Sequence, residues 1–471
     1  MQMTFKKILI QILFIAGILF SQASAQTMPT SSDSALARSI FKELIEINTT
    51  HATGNTTTAC EAISKRLMTA GYAEKDIQMV GPGKKNRNLV LRLKGSGKGN
   101  PILFLAHLDV VAARPEDWTF DPFKLTEKDG YFYGRGSFDI KDGAAILVAN
   151  FIRMKKEGYH LDHDLILALT SGEESRDVYN GVQWLIDKQY PLIDAEYCIN
   201  MDAGDPQIKN GKRIARTVQT SEKGVLNLML EVKNPGGHGS LPSKNNAIYR
   251  LAKGLTNLSA YDFPVEFSDI TKSYFYSMSS FESGQVATDM KAMSDKSPSP
   301  SAINRLSGFP YYNALLRNTC VATQLEAGHA INALPQTAVA KLNCRVLPDD
   351  SQESVIQKIQ TILGDSLIIV TVIDSLIKNP ASVLTPTLLK TVEQVTSKLW
   401  PGVPVIPVMD VGASDGIYLR STGIPTFGIS GVFIDMNDNR AHGKDERIAV
   451  KDFYDGLEYE YQLMKAVGSG N

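Results

Sequence analysis

Residues 102–111 read ILFLAHLDVV, and this stretch decides the fold. An unbroken apolar run with no polar alternation suits a strand covered on both faces, as in a parallel sheet. Its C-terminal end delivers His107 and Asp109, which at i and i+2 leave the same face of a strand. Ligands of open α/β sheets bind outside the carboxyl ends of the strands, where these two residues fall. Similar runs recur at 88–93, 165–169 and 197–201, alternating with helical patterns at 143–156 and 182–189. Two more helical patterns, 34–47 and 58–70, precede them. The alternation predicts an α/β fold, a mostly parallel sheet with helices on both faces.

The pattern changes near residue 215. A strand at 225–232, a helix at 247–258, strands at 319–325 and 338–346, a helix at 352–363 and a strand at 367–373 follow. That β-α-β-β-α-β order predicts a small two-layer α+β domain. Residues 266–310, rich in Ser, Lys, Asp and Pro, read as a surface insertion. From 385 the first style resumes, with a helix to 399 and strands at 403–409 and 425–429. The expected division is therefore a catalytic domain of 26–215 and 381–471 with a second domain, 216–380, inserted into it.

The composition is that of an ordinary globular chain: 471 residues, 43% hydrophobic and 21% charged. A net charge of −1 argues against nucleic-acid binding driven by phosphate contacts. Lys6 and Lys7 precede an apolar run at 8–20, followed by Ala23 and Ala25 at A-x-A spacing. This predicts a signal peptide, residues 1–25, on an exported protein, periplasmic or secreted. The run is short against the roughly 20 residues needed to span a bilayer, so no stable membrane insertion is expected after cleavage. Cys60, Cys198, Cys320 and Cys344 lack CxxC spacing. Cys320 and Cys344 are expected as buried free thiols, with a pair between them as the alternative.

Five segments carry candidate chemistry. His107 is a good ligand type for zinc, and a neighbouring carboxylate can fix its tautomer; a hydrogen-bonded core histidine is the rival reading. YFYGRGSFDIKDG, 131–143, brings Asp139 out of a Gly-Arg-Gly turn, where it could equally cap the next helix. LILALTSGEES, 165–175, ends a strand in adjacent Glu173 and Glu174, which suit a division between ligand and proton acceptor. YCINMDAGDP, 197–206, delivers Asp202, with Asp205 as a rival. NRAHGKDERI, 439–448, presents His442, which alone would read as a surface histidine. Together, two His and several carboxylates suit a pair of zinc-like ions bridged by one carboxylate.

With these motifs in this order, the sequence resembles the M20 family of dinuclear zinc peptidases and aminoacylases. The resemblance also rests on WTFDPF (118–123), NPGGHGS (234–240), INALP (331–335), CRVLPDD (344–350), GASDG (412–416) and AHGKDE (441–446). Details place it near the carboxypeptidase S and secreted N-acyl-amino-acid hydrolase branch. The resemblance implies two zinc ions, with cobalt or manganese as substitutes. It implies that His107, Asp139 and Asp202 hold one ion and that Asp139, Glu174 and His442 hold the other. Glu173 would be the general base, and Asp109 would orient His107. The peptide bond after Asp139 would be cis. The inserted domain would be a lid and a homodimerisation surface. From it His238 would polarise the scissile carbonyl, commonly in the partner subunit's site. Asn332 and Arg345 would bind the substrate's α-carboxylate, with Ser414, Ser430 and Gly431 adding donors. Two departures stand out: Gly172 precedes the Glu pair where an acid is usual, and Asp202-Ala-Gly replaces the more frequent Glu-Gly-Gly.

The implied activity is hydrolysis of an amide bond beside a free α-carboxylate, on a small peptide or an N-acyl amino acid. A dipeptidase or other exopeptidase that needs a free amine is the alternative. A catalytically inactive exported binding protein is the remaining reading.

Overall fold

The computed structural model describes residues 31–470 apart from 176 and 296. The signal-peptide expectation lies outside the described residues. Among them, no helix is long and apolar enough to cross a membrane.

A large sheet runs in the order Ile77–Val80, Asn88–Leu93, His163–Thr170, Gly99–His107, Tyr197–Asn200, Thr426–Gly428 and Lys212–Glu222. The four strands from His163–Thr170 to Thr426–Gly428 are parallel to one another. Val405–Asp410 is a further parallel neighbour of Lys212–Glu222. The run 102–106 is buried throughout, as a strand packed on both faces requires. Helices Ser31–Glu46, Lys141–Glu157 and Val450–Gly468 cover one face, and their apolar sides join the strands in a single core. Helix Gly181–Gln189 lies in the core on the other face.

Register puts the chemistry on one edge. His107 pairs with Thr170, and Leu105 with Asn200. The residues just beyond these ends, 172–174 and 202–205, therefore meet beside His107. Gly204 has φ +70, and a Cβ there would stand 2.0 Å from the carbonyl oxygen of Gly428. Only glycine lets these two strand ends approach so closely.

The inserted part is a second sheet, antiparallel, in the order Thr319–Ala327, Thr337–Val346, Gly224–Lys233 and Ile369–Asp374. Helices Ala247–Ser259 and Gln352–Leu363 bury Leu251, Leu258, Val355 and Ile359 against it. The two-layer expectation holds. Strand Lys212–Glu222, by contrast, runs past residue 215 and belongs to the large sheet.

The stretch 266–310 is largely helical. Helices Asp269–Met278, Gly284–Ala292 and Pro300–Ser307 lie in it, and Pro310–Leu316 follows. Tyr274, Phe275, Met290 and Leu306 are buried with Ile406 and Val408 of the large sheet's edge. Several Ser and Pro residues of this stretch are helix starts. Ser268 and Ser299 cap N-termini, and Pro300 and Pro310 occupy first turns, where proline is tolerated.

Cys320 and Cys344 also depart from expectation, because they form a disulfide. They stand directly opposite in neighbouring antiparallel strands, which brings their Cα atoms to 4.0 Å. Cys60 and Cys198 are buried free thiols. With a sequence separation of 24 between its cysteines, the disulfide is expected to stabilise the chain by about 3 kcal/mol. Reductant should lower the denaturation midpoint of the wild type and leave that of a Cys320→Ala/Cys344→Ala variant unmoved. Equal sensitivity of both would show that the bond does not act in solution.

Candidate metal centre

His107 is buried, and its Nδ1 donates to the carbonyl of Asp109 at 2.9 Å. That bond leaves Nε2 facing two carboxylates, Asp139 at 3.1 Å and Asp202 at 3.8 Å. On the other side, His442 Nε2 stands 3.0 Å from the second Asp139 oxygen and 3.0 Å from Glu174. One oxygen of Asp139 thus faces each histidine, which is the placement of a bridging ligand. The ligand atoms of His107, Asp139 and Asp202 lie within 4.8 Å of one another, as do those of Asp139, Glu174 and His442. Borderline-soft imidazole and hard carboxylate donors in two adjoining triads fit a pair of zinc-like divalent ions. Asp205, the rival to Asp202, is not in either group; it stands beside Ser430.

The Asp139–Ile140 peptide bond is cis. The turn that carries it is held from below. Glu446 accepts the N–H groups of Phe138 and Asp139 at 2.8 and 3.1 Å and pairs with Arg135 at 2.5 Å, both side chains buried. Arg135 also donates to the carbonyls of His442 and Gly443. His442 has φ +61, a left-handed conformation that costs a non-glycine residue about 1–3 kcal/mol. The Arg135 bonds hold it there.

Asp109 contacts His107 as expected, and it holds the acidic turn as well. Its carbonyl orients His107, while its carboxylate accepts the N–H groups of Glu173 and Glu174 at 3.3 and 3.0 Å. It therefore positions the acidic turn. Below that turn Asp415 accepts from Thr170 and Asn180 at 2.8 and 2.6 Å. Arg135, Glu446 and Asp415 were not singled out in the sequence, although each lies inside a quoted motif.

Burial pushes the Glu173 carboxyl well above its ordinary value, and the charges of Asp202, Asp415 and Glu174 add to this. Burial likewise raises Asp202. His442 is raised to about 10 by its bonds to Asp139 and Glu174. Burial pulls His107 down, but Asp202 and Asp139 carry it well above the usual histidine range.

Two cavities flank the cluster and share Ala413 and Ser414. One, about 490 Å3, is lined by Glu173 and Tyr179 and by Val225 and Ile373 of the inserted sheet. The other, about 290 Å3, is lined by Asp139, Asp202, Asp205 and Asp410. The other expected residues are spread out. Arg345 is the cross-strand partner of Val225. Ser414 gives its N–H and hydroxyl to buried Glu222. Ser430 stands beside Asp205, and Gly431 packs against Gly456 of the last helix. His238 and Asn332 sit exposed beyond the far end of strand Gly224–Lys233, about 30 Å from Gly224 at strand rise.

The model of peptidase family M20/M25/M40 matches residues 103–466. This chain belongs to that family. Human N-fatty-acyl-amino acid synthase/hydrolase PM20D1 is 27% identical over 386 residues, 78% of this chain and 74% of its own. Probable carboxypeptidase S-like 2 of Dictyostelium discoideum is 25% identical over 405 residues, 81% and 74% of the two chains. The M20 family metallo-carboxypeptidase Sso-CP2 from Sulfolobus solfataricus shares the fold, with a TM-score of 0.71 at 18% identity over 91% of this chain and 98% of its own. The chain is a hydrolase of amide or peptide bonds, of the metallopeptidase and amidohydrolase type.

Both histidines must be neutral to ligate, so metal uptake by the stripped protein at pH 7 should release protons. The sign follows from the raised values: protonated His442 stabilises the metal-free fold below about pH 6.5, its ordinary value, and that contribution fades towards about 10. Apparent zinc affinity should therefore climb between about pH 6 and 9. Calorimetry in two buffers of different protonation enthalpy measures the release. A buffer-independent heat would contradict this arrangement.

Proposed function

We propose that this chain is a metal-dependent hydrolase that cuts an amide bond next to a free α-carboxylate, as a carboxypeptidase or an N-acyl-amino-acid deacylase. The observation that carries the reading is Glu173, half-buried beside two adjoining His/carboxylate triads and lining a cavity with Ser414. The metals would be held by His107, Asp139 and Asp202 and by Asp139, Glu174 and His442. When bound, they supply Lewis acidity and an acidified water, with zinc the best fit and cobalt or manganese as substitutes.

Glu173 takes the proton of the attacking water and returns it to the leaving amine. Its burial strengthens it as a base. Asp109 keeps it aimed through the backbone N–H bonds. Arg345 lies across the strand pair from Val225, whose side of the sheet faces the Glu173 cavity, so the substrate carboxylate belongs on that side. The names of the human and Dictyostelium relatives agree with this substrate class. Asp205 and Asp410 in the second cavity favour one other reading, a dipeptidase that anchors a free α-ammonium. Export to an oxidising compartment is part of the proposal; the Cys320–Cys344 disulfide supports it.

Glu173→Ala should retain metal and lose turnover by about two to four orders of magnitude. Amine release from N-acyl amino acids and matched free-amine dipeptides, with and without chelator, tests the substrate class. Near-normal turnover of the variant removes Glu173 as base, and preference for free amines favours the dipeptidase.

His238 and Asn332 enter this reading only through a second copy of the chain, because the inserted sheet carries them away from their own cluster. Mixing inactive Glu173→Ala with inactive His238→Ala should restore part of the activity. No recovery, from mixtures shown to exchange subunits, would place His238 outside the reaction.

A further inference from the structure

Helices Gly284–Ala292 and Pro310–Leu316 leave a cavity of about 670 Å3 between themselves and the edge of the large sheet. Its wall includes Val286, Phe309, Tyr311, Tyr312, Ile434 and Met436. An ion pair, Lys209 with Glu282, stands on its polar side, and the Tyr312 hydroxyl donates to Glu282 at 3.4 Å. The volume is that of a site for a small organic molecule. Asp205, Asp410 and Asn439 line this cavity and also the 290 Å3 cavity that holds Asp139 and Asp202. The apolar cavity thus adjoins the one at the candidate metal centre, with these three residues as their common wall.

We propose that this cavity receives the aliphatic acyl chain of the substrate, so that the helical segment 269–316 sets acyl-chain length. The proposal rests on the N-acyl-amino-acid reading above. A substrate whose carbonyl lies at the metal cluster has two directions in which to extend. Towards Glu173 the cavity runs under the inserted sheet, where Arg345 stands across from Val225 and suits the carboxylate half. Towards Asp202 the common wall carries Asp205 and Asp410, which repel a carboxylate and turn that half away. Beyond these residues the larger cavity is lined by aromatic and aliphatic side chains, which favours a chain that needs no hydrogen bonds. A chain long enough to reach past them gains up to roughly fourfold in binding for each methylene it buries.

The test is the kcat/KM of the metal-loaded, full-length enzyme for N-acetyl, N-octanoyl and N-palmitoyl forms of one amino acid. Wild type should prefer the longer chains. Val286→Trp, which fills the cavity from a partly exposed helix position, should lower the long-to-short ratio at least tenfold. Phe309→Ala, which widens the cavity, should shift the preference to longer chains, and it serves if the tryptophan variant does not fold. Unchanged ratios in both variants overturn the proposal while leaving the deacylase reading standing. A ratio that instead collapses in Val225→Trp overturns it by placing the chain on the Glu173 side. Cleavage of free-amine dipeptides with no cleavage of any N-acyl substrate overturns the function reading and the proposal together.

Discussion

The ion pair between Arg135 and Glu446 joins the two halves of the candidate site. Burying two charges is costly unless the remaining donors and acceptors are satisfied. Here most of them are: Glu446 also accepts two backbone N–H groups of the Asp139 turn, and Arg135 also donates to two carbonyls of the His442 loop. The pair therefore fixes the bridging carboxylate and the distal histidine against each other. Removing either partner would leave an uncompensated buried charge, a loss of about 3–5 kcal/mol. That is a large fraction of a typical fold's stability.

A second buried pair does the same for the other wall. Glu222 bonds Arg420 and the N–H of Ser414, and Arg420 reaches Gln219. This locks the 412–416 loop to the strand that leads into the inserted sheet. The parallel strands bring His107, the Glu173–Glu174 turn and Asp202 to one edge by register alone. The two ion pairs then set how the loops close over that edge. Lys141 adds a third tie, donating to the carbonyls of Leu44 and Ile47 from a buried position where burial lowers it to about 7.

Much of this was legible in the sequence for one reason: buried parallel strands are long apolar runs, and their ends carry the candidate ligands. The strands at 102–106 and 165–169 and the residues His107, Glu174 and Asp202 follow from that rule, whereas Asp139, which follows a strand of a small antiparallel sheet, was legible only through its motif. The positioning residues were harder to read. Arg135, Glu446 and Asp415 are charged side chains that sequence pattern assigns to the surface, and only three-dimensional pairing explains their burial. That Asp109 orients His107 through its carbonyl and spends its carboxylate on the acidic turn is not legible, because pattern cannot separate a carbonyl from a carboxylate of the same residue. The helices of 269–316 were hidden by their own caps, since Ser and Pro mark both loops and helix starts. The Cys320–Cys344 pairing depends on strand register, which no spacing of cysteines reveals.

The keystone pair has a sequence separation of 311 residues. His442 and Glu446 sit close before the final helix, Val450–Gly468, whose buried side chains complete the main core. A ribosome delivers the His107 strand long before it delivers these residues. Until the last segment arrives, Asp139 has no Glu446 to hold its turn and the second triad has no histidine. A partly synthesised or C-terminally clipped chain therefore cannot assemble the cluster. Competence for hydrolysis is tied to completion of the chain, so hydrolytic power appears only in molecules that have finished folding.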